Sequence, residues 1–378
     1  KQVFSGLSNS TVVLFAGMFV VGAAMFYTGL AQAIGEKVVH IFGTGENSLM
    51  LGLMLVGTIL SSVLSNTGTC ACLMPVALGI CAASKNPASR QLLPMAYACG
   101  WGGIITLVGT PPNIIGSGAL TAAGLPGFSF FEFAWIGIPL SVAGILYMLL
   151  IGKYLLPKAE LDADQEIEQE IEATTHDKKK QVISGVILLA CVTVMALNLK
   201  FISLEMTAII GALVCVLTGC LTEKQAYSSI DWVTIFLFAG MMPVSTAMDK
   251  TGAGKLIANW AVGLMGGEPT PLIVTIVLFS ISCFLTQFMS NTASAALLCP
   301  IGIAIAKQLN ADPKAVVMAI AVAASCAFAT PVGTPPCTLV LGPGGYKFMD
   351  YVKCGTGLVL VCFVVSLIVI PMVWPFFP

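Results

Sequence analysis

Two kinds of short polar string interrupt the apolar runs of this chain. Ser65-Asn66-Thr67 and Ser290-Asn291-Thr292 each break one long run, and Gly109-Thr110-Pro111-Pro112 and Gly333-Thr334-Pro335-Pro336 each break the next. Ser, Asn and Thr side chains offer neutral oxygens to a small cation, and N–H and O–H donors to a carboxylate. Proline lacks an N–H, and two in succession stop a helix, leaving the preceding carbonyls without partners. Those carbonyls can coordinate a small cation. The half-helix beyond each break turns its positive dipole end inward, which suits an anion. Taken singly, such strings are ordinary caps and turns.

Their recurrence argues for more. Phe15-Ala16-Gly17-Met18 returns as Phe238-Ala239-Gly240-Met241, 223 residues on. The Ser-Asn-Thr strings are 225 residues apart, as are Pro75 and Pro300, and Val108-Gly109-Thr110-Pro111-Pro112 returns 224 residues on at Val332. Three collinear matches drifting by so little mark an internal repeat.

The elements that carry these strings belong in a membrane. Of 378 residues, 57% are hydrophobic and 9% charged, and the mean hydropathy is +0.95. Such a chain cannot make the charged skin of a soluble domain, so its outer surface faces lipid. The net charge of −1 carries no basic patch for nucleic acid. The 13 cysteines lie almost wholly inside apolar segments, without metal-ligand spacing, and the two histidines, His40 and His176, fall in polar connections. Packing is the reading for the thiols.

Apolar segments run from about Thr11 to Ala33, Ser48 to Ala83, Leu92 onward through the first break, and Phe131 to Ile151. After them come Val182–Leu197, Met206–Leu221, Val233–Met248, Pro271–Ala306, a second broken helix from Ala315, and a last span ending near Pro371. The expected organisation is a first repeat over 1–152, with a hairpin at 48–84 and a broken helix at 92–122. A hydrophilic cytoplasmic linker follows at 153–180, and then a second repeat over 181–378 with a hairpin at 271–307 and a broken helix at 314–346. Two spans precede the Phe-Ala-Gly-Met helix of the second copy and none precedes that of the first, so further scaffold helices are expected before Lys1.

An odd number of crossings separates the two copies, whichever way the interrupted runs are counted, so the repeats should be inverted in the membrane. With the linker inside, Lys37, Lys85, Arg90, Lys153, Lys224, Lys347 and Lys353 join its lysines on the inner side, as the positive-inside rule requires. The 48–83 run spans roughly 54 Å as straight helix, too long for one crossing. A re-entrant hairpin would bring Ser-Asn-Thr to mid-membrane opposite the break, where irregular backbone is tolerated if it lines a cavity. The fold class is therefore an all-α polytopic membrane protein of two inverted-topology repeats, with re-entrant hairpins and broken transmembrane helices. No Lys, Arg or His lies near either motif in sequence. A buried carboxylate needs countercharge, and bound sodium ions supply it.

These strings resemble the divalent anion:sodium symporter family, the sodium-coupled carboxylate and sulfate transporters. Ser65-Asn66-Thr67 and Ser290-Asn291-Thr292 look like its paired hairpin tips, and Gly109-Thr110-Pro111-Pro112-Asn113 looks like its first helix break. The resemblance runs over essentially the whole chain. It implies a homodimer in a bacterial inner membrane, in which a scaffold holds a transport domain that moves like an elevator. It further implies one sodium (Na+) near Ser61, Ser65, Asn66 and Gly109, and a second near Thr286, Met289, Asn291 and Gly333. The substrate, a small di- or tricarboxylate of the succinate, malate or fumarate type, would touch Asn66, Thr67, Thr110, Pro111, Ser290, Asn291, Thr292, Thr334 and Pro335. The second break ends in Cys337 where the first has Asn113, a departure that bears on the second ion site.

Sodium-independent exchange and the transport of sulfate or citrate are alternatives on the same fold. An enzyme is not expected, since no nucleophile has a base in position. Nor is a channel, which needs no paired breaks around one closed site. Glu132, Glu205, Glu223 and Asp231 sit at span ends and read as interface markers.

Overall fold

A computed structural model describes residues 7, 9–43, 45–157, 177–197, 202–264 and 269–377. Residues 158–176 of the hydrophilic segment, His176 among them, lie outside the described residues, as does the side chain of His40. The described residues form helices and turns, without strands.

In the first half, α1 is Ser10–Tyr27, α2 Leu30–Phe42, α3 Glu46–Ser61, α4 Asn66–Ser84, α5 Leu92–Gly102, α6 Pro111–Ala122 and α7 Ala134–Leu155. The second half has α8 Lys178–Leu197, α9 Leu204–Leu217, the short α10 Glu223–Ser228, α11 Trp232–Thr251 and α12 Ala253–Leu264. It continues with α13 Pro271–Leu285, α14 Asn291–Gln308, α15 Pro313–Ser325, α16 Pro335–Leu341 and α17 Phe348–Val373. Among the described residues, five helices, α1, α4, α7, α8 and α17, are long and apolar enough to cross a membrane.

The sequence repeat is matched in backbone geometry. The expected Thr11–Ala33 helix is in fact two, because Gly29 takes φ +73° and turns the chain from α1 into the amphipathic α2. Its counterpart Gly252, φ +75°, does the same between α11 and the amphipathic α12. Glycine adopts this conformation at no steric cost. Apolar residues run on past the first joint, so hydropathy alone merges α1 with the start of α2. At the second joint Asp249 and Lys250 interrupt the run, and the expected Val233–Met248 span ends before α12, which hydropathy does not pick out. Lys85 and Asn310, at φ 57° and 52°, end α4 and α14 alike. The linker is shorter than its composition implies: Lys153 lies in the last turn of α7, and Lys178–Lys180 open α8. Long aliphatic stems let such ammonium groups reach water from a helix end.

The two halves interlock at their breaks. Helix α4 packs against α16, and α14 packs against α6. Cys70 on α4 lies with its Sγ 3.7 Å from the Pro336 carbonyl oxygen. Helix α5 is buried along its whole length, and so is α15 but for Lys314. Around them α3, α7, α13 and α17 form a packed layer, whereas α1, α8 and α9 form a separate bundle on the other side of the cavity described below. The outer faces carry exposed Trp135, Leu150, Leu189, Leu213, Phe236, Phe284 and Met372, an apolar coat suited to lipid.

One end of the packed layer is tied by charge. In the turn before α7, Glu132 accepts hydrogen bonds from Lys314 Nζ at 2.7 Å, Trp374 Nε1 at 2.9 Å and the Ser129 N–H at 2.9 Å. Burial pushes the Glu132 carboxyl up, but these donors outweigh it and hold the group below its ordinary value. A depressed carboxyl contributes stability above its unfolded value, and that stability is lost as pH falls through its folded value. Glu132→Gln should therefore cost about 1 kcal/mol at neutral pH. The gap should close as pH drops below the ordinary carboxylate range, as checked by thermal melts in detergent.

Candidate functional site

Each Ser-Asn-Thr string is both a helix cap and a cavity wall. Ser65 Oγ accepts from the Gly68 N–H at 3.1 Å, and Ser290 Oγ from the Ala293 N–H at 3.2 Å, so the second arm of each hairpin starts at an asparagine. Thr110 and Thr334 sit extended, at φ −144° each, just before the proline pairs that open α6 and α16. The two tips and two breaks converge on one cavity of about 640 Å³. Ser65, Asn66, Thr67, Gly109, Thr110 and Pro111 line it from the first half, and Ser290, Asn291, Thr292, Gly333, Thr334 and Pro335 from the second. All nine residues expected to touch substrate are therefore brought together. The facing wall is largely apolar, with Phe15, Met18, Phe19 and Phe26 of α1 and Val233 and Leu237 of α11.

Behind each tip lies a cluster of oxygens. In the first half, Ser61 Oγ is 2.7 Å from the Cys99 carbonyl oxygen and 2.7 Å from the inward corner of the Asn66 amide. That corner is also 3.2 Å from the Gly109 carbonyl and 3.1 Å from the Cys99 carbonyl. In the second half, Thr286 Oγ1 is 2.6 Å from the Ala324 carbonyl and 2.8 Å from the Asn291 corner. The Asn291 corner in turn lies 3.1 Å from the Gly333 carbonyl and 3.2 Å from the Ala324 carbonyl. Turned with its nitrogen inward, either amide satisfies the carbonyls; turned with its oxygen inward, it completes a ring of acceptors with no donor but one hydroxyl. The second state is the donor set of a hard, small cation.

Sterics keep the clusters tight. A Cβ on Gly103 would lie 2.3 Å from the Asn66 Oδ1 position, and one on Gly109 would lie 2.5 Å from the Gly103 carbonyl oxygen. On Gly333 it would lie 2.8 Å from the Thr286 carbonyl oxygen. Ser61 and Thr286 are fully buried behind the tips. Met289, expected beside the second sodium, is half-buried with its N–H on the Leu285 carbonyl at 3.0 Å, and it does not line the cavity.

The charge pattern is spare. Among the described residues, no Lys, Arg or His lines the cavity. Asp231, read from sequence as an interface marker, does line it, and accepts from the Thr234 N–H at 3.1 Å and the Thr234 hydroxyl at 2.5 Å. The expected role of the half-helices needs adjusting. Prolines at their first two positions remove those N–H groups, so α6 and α16 offer an anion a dipole but few donors. The tips, where α4 and α14 begin, carry the amide and hydroxyl donors.

A citrate transporter family model (CitMHS) matches residues 1–294 and 194–377. The chain belongs to this family. It is 34% identical over 393 residues to an uncharacterized transporter of Haemophilus influenzae, covering 99% of this chain and 83% of that one. It is 25% identical to a sodium-dependent dicarboxylate transporter, SdcS, of Staphylococcus saprophyticus, over 99% of this chain and 78% of the relative. The solved YdaH transporter of Alcanivorax borkumensis shares the fold, with a TM-score of 0.74 at 13% identity, covering 100% of this chain and 89% of that one. The sequence resemblance to divalent anion:sodium symporters is thus borne out. This family member is a transporter and an integral, multi-pass membrane protein, and its bacterial relatives point to the plasma membrane.

The steric reading is open to a direct check. Gly109→Ala should destabilise the protein by about 1–3 kcal/mol, because its methyl group meets backbone that cannot retreat. Gly79 of α4 has nothing within 4 Å of a Cβ. Gly79→Ala should be neutral or stabilise by about 0.5–1 kcal/mol in the same melts.

Proposed function

We propose that this protein carries small di- or tricarboxylate anions across the membrane together with sodium, with the anion held between the two hairpin tips and a sodium ion in the oxygen cluster behind each. The observation that carries this reading is the matched pair of clusters, each set where an asparagine tip meets a proline-stopped break. A dicarboxylate in a cavity lined, among the described residues, by no basic side chain lacks countercharge, and two monovalent cations at its flanks supply it. Sodium suits these clusters because every inward group is a neutral oxygen or an amide that can turn its oxygen in. The substrate residues are Asn66, Thr67, Thr110, Pro111, Ser290, Asn291, Thr292, Thr334 and Pro335. The ion residues are Ser61, Ser65, Asn66 and Gly109 for one sodium, and Thr286, Asn291 and Gly333 for the other, with Met289 at most a backbone neighbour of the second.

The amide turn gives a physical link between the two cargoes. With the ion absent, each asparagine directs its N–H toward the break carbonyls. With the ion present, the oxygen turns in and the N–H₂ faces the cavity, where it can donate to a carboxylate. Ion binding thus prepares the anion site, which is the thermodynamic content of coupling.

The reading extends to inverted halves with 1–152 and 181–378 as repeats, to an elevator-type movement, and to a homodimer. The movement is supported by the layout: the tips and breaks belong to one packed group joined by many short hydrogen bonds, and the largely apolar wall of α1 and α11 meets them with a long one, Thr234 Oγ1 to Thr292 Oγ1 at 3.5 Å. An apolar wall offers a sliding surface.

Labelled succinate entering proteoliposomes should accumulate under an inward sodium gradient and fall at least ten-fold when choline replaces sodium. Uptake indifferent to sodium would favour exchange on the same fold. Asn66→Ala and Asn291→Ala should each abolish uptake, while the purified variants still elute as folded protein. Normal uptake by either would reduce the tips to caps.

A further inference from the structure

The two breaks are alike in course but not in what holds them. In the first, Asn113 Nδ2 reaches back from α6 to the carbonyls of Gly103, Ile104 and Thr106, at 3.2, 3.3 and 2.8 Å. In the second, Cys337 stands at that position, and its Sγ lies 4.0 Å from the Ala327 carbonyl, a weak contact. The work passes to Gln287, a buried residue in the turn of the second hairpin, directly after Thr286.

Gln287 Nε2 donates to the Cys283 carbonyl at 2.8 Å within its own hairpin, and to the Cys326 carbonyl at 2.9 Å across in the break. Its Oε1 accepts from the Ala329 N–H at 2.9 Å. The peptide unit that carries this N–H also carries the Phe328 carbonyl, which accepts from the buried Tyr97 hydroxyl at 2.8 Å. One non-helical peptide is therefore pinned at both edges. The Gln287 backbone completes the hold: its carbonyl accepts from Thr330 Oγ1 at 2.6 Å, and Thr330 Oγ1 accepts from the Gly333 N–H at 3.2 Å. Gly333 supplies a carbonyl to the second oxygen cluster. The first hairpin has Ser62 in the place of Gln287: its carbonyl accepts from the Thr106 hydroxyl, as that of Gln287 accepts from Thr330, but its side-chain hydroxyl donates to Ile59 of its own helix at 2.7 Å, so the side-chain amide that holds this break is that of Asn113.

We propose that Gln287 is the positioning residue of the second ion site, doing from the hairpin what Asn113 does for the first site from within the break. The inference rests on the sodium-coupled reading above and adds an asymmetry to it. The hairpin carbonyl link, Ser62 to Thr106 and Gln287 to Thr330, is common to both halves, but the amide that holds the first break comes from the break segment itself. That of the second comes from the hairpin that also bears the tip asparagine, so the geometry of the second cluster depends on how that hairpin sits against the break. Sodium affinity at the second site is then set by an amide that touches neither ion nor substrate.

The test compares wild type with Gln287→Met, which keeps the side chain's length and loses its polar atoms, and with Thr330→Val, which breaks the backbone link to Gly333. Sodium titrations of thermal stability in detergent and of succinate uptake are read together. The expected result for Gln287→Met is a half-saturating sodium concentration raised at least five-fold, with a sodium Hill coefficient falling toward one. The succinate KM at saturating sodium should stay within two-fold. Thr330→Val should move sodium half-saturation in the same direction, and it decides the matter if Gln287→Met does not fold. Sodium curves that superimpose on wild type, or a lower maximal rate and melting temperature with unchanged sodium half-saturation, would overturn the positioning role. A wild-type protein that responds to sodium in neither assay would instead overturn the symport reading, and this inference with it.

Discussion

The inward corner of each tip asparagine, set among two carbonyl oxygens and a hydroxyl, is the contact around which the rest of the molecule is arranged. A helix stopped inside a protein leaves acceptors that water cannot reach, and something must meet them. Here the partner is a side-chain amide whose two ends are nearly the same size but opposite in character. The corner can be filled by a donor or, when a cation arrives, by an acceptor. That choice exists only while the surrounding backbone stays within hydrogen-bond reach, and much of the fold serves to keep it there.

Glycines set the distance. Gly103, Gly109 and Gly333 leave no room for a Cβ between tip and break. The interlock of α4 with α16 and of α14 with α6 means that neither half can build its site alone. Buried hydroxyls finish the scaffold: Tyr97 holds the Phe328 carbonyl, and Tyr351 holds the Cys337 carbonyl at 2.7 Å. These are neutral donors, so they satisfy the breaks without adding charge beside an anion. The cysteines fall into place on the same view. Among the described residues they are free thiols, and all but Cys72 are buried. They act as small packing groups, and the Sγ of Cys337 fills the position of a polar amide without replacing its function.

Much of the site could be read from the chain because its chemistry is local. A Ser-Asn-Thr string caps a helix wherever it occurs, and a proline pair stops one, so the motifs reveal their backbone without tertiary information. The repeat then paired them. Other features depend on contacts that spacing does not encode. Ser61 and Thr286 look like any hydroxyl in an apolar helix, and they came only from the family resemblance. Gln287 offers no signal of its own; the sole hint was the Cys337 that fails to match Asn113. Asp231 was placed at an interface, and its span-end position is right, yet that end opens onto the cavity. The start of α2 merges with α1 in the sequence because hydropathy does not register a single glycine at positive φ, and the amphipathic α12, set off by Asp249 and Lys250, falls outside every apolar run.

Whether the oxygen clusters hold ions is decided most directly by equilibrium binding of radioactive sodium to the purified protein in the presence of succinate. The structure as read here predicts two sodium ions per chain, falling to one in Asn66→Ala and to one in Asn291→Ala. Absence of bound sodium in the wild type, or two ions retained in both variants, would contradict the assignment of the clusters as the coupling sites.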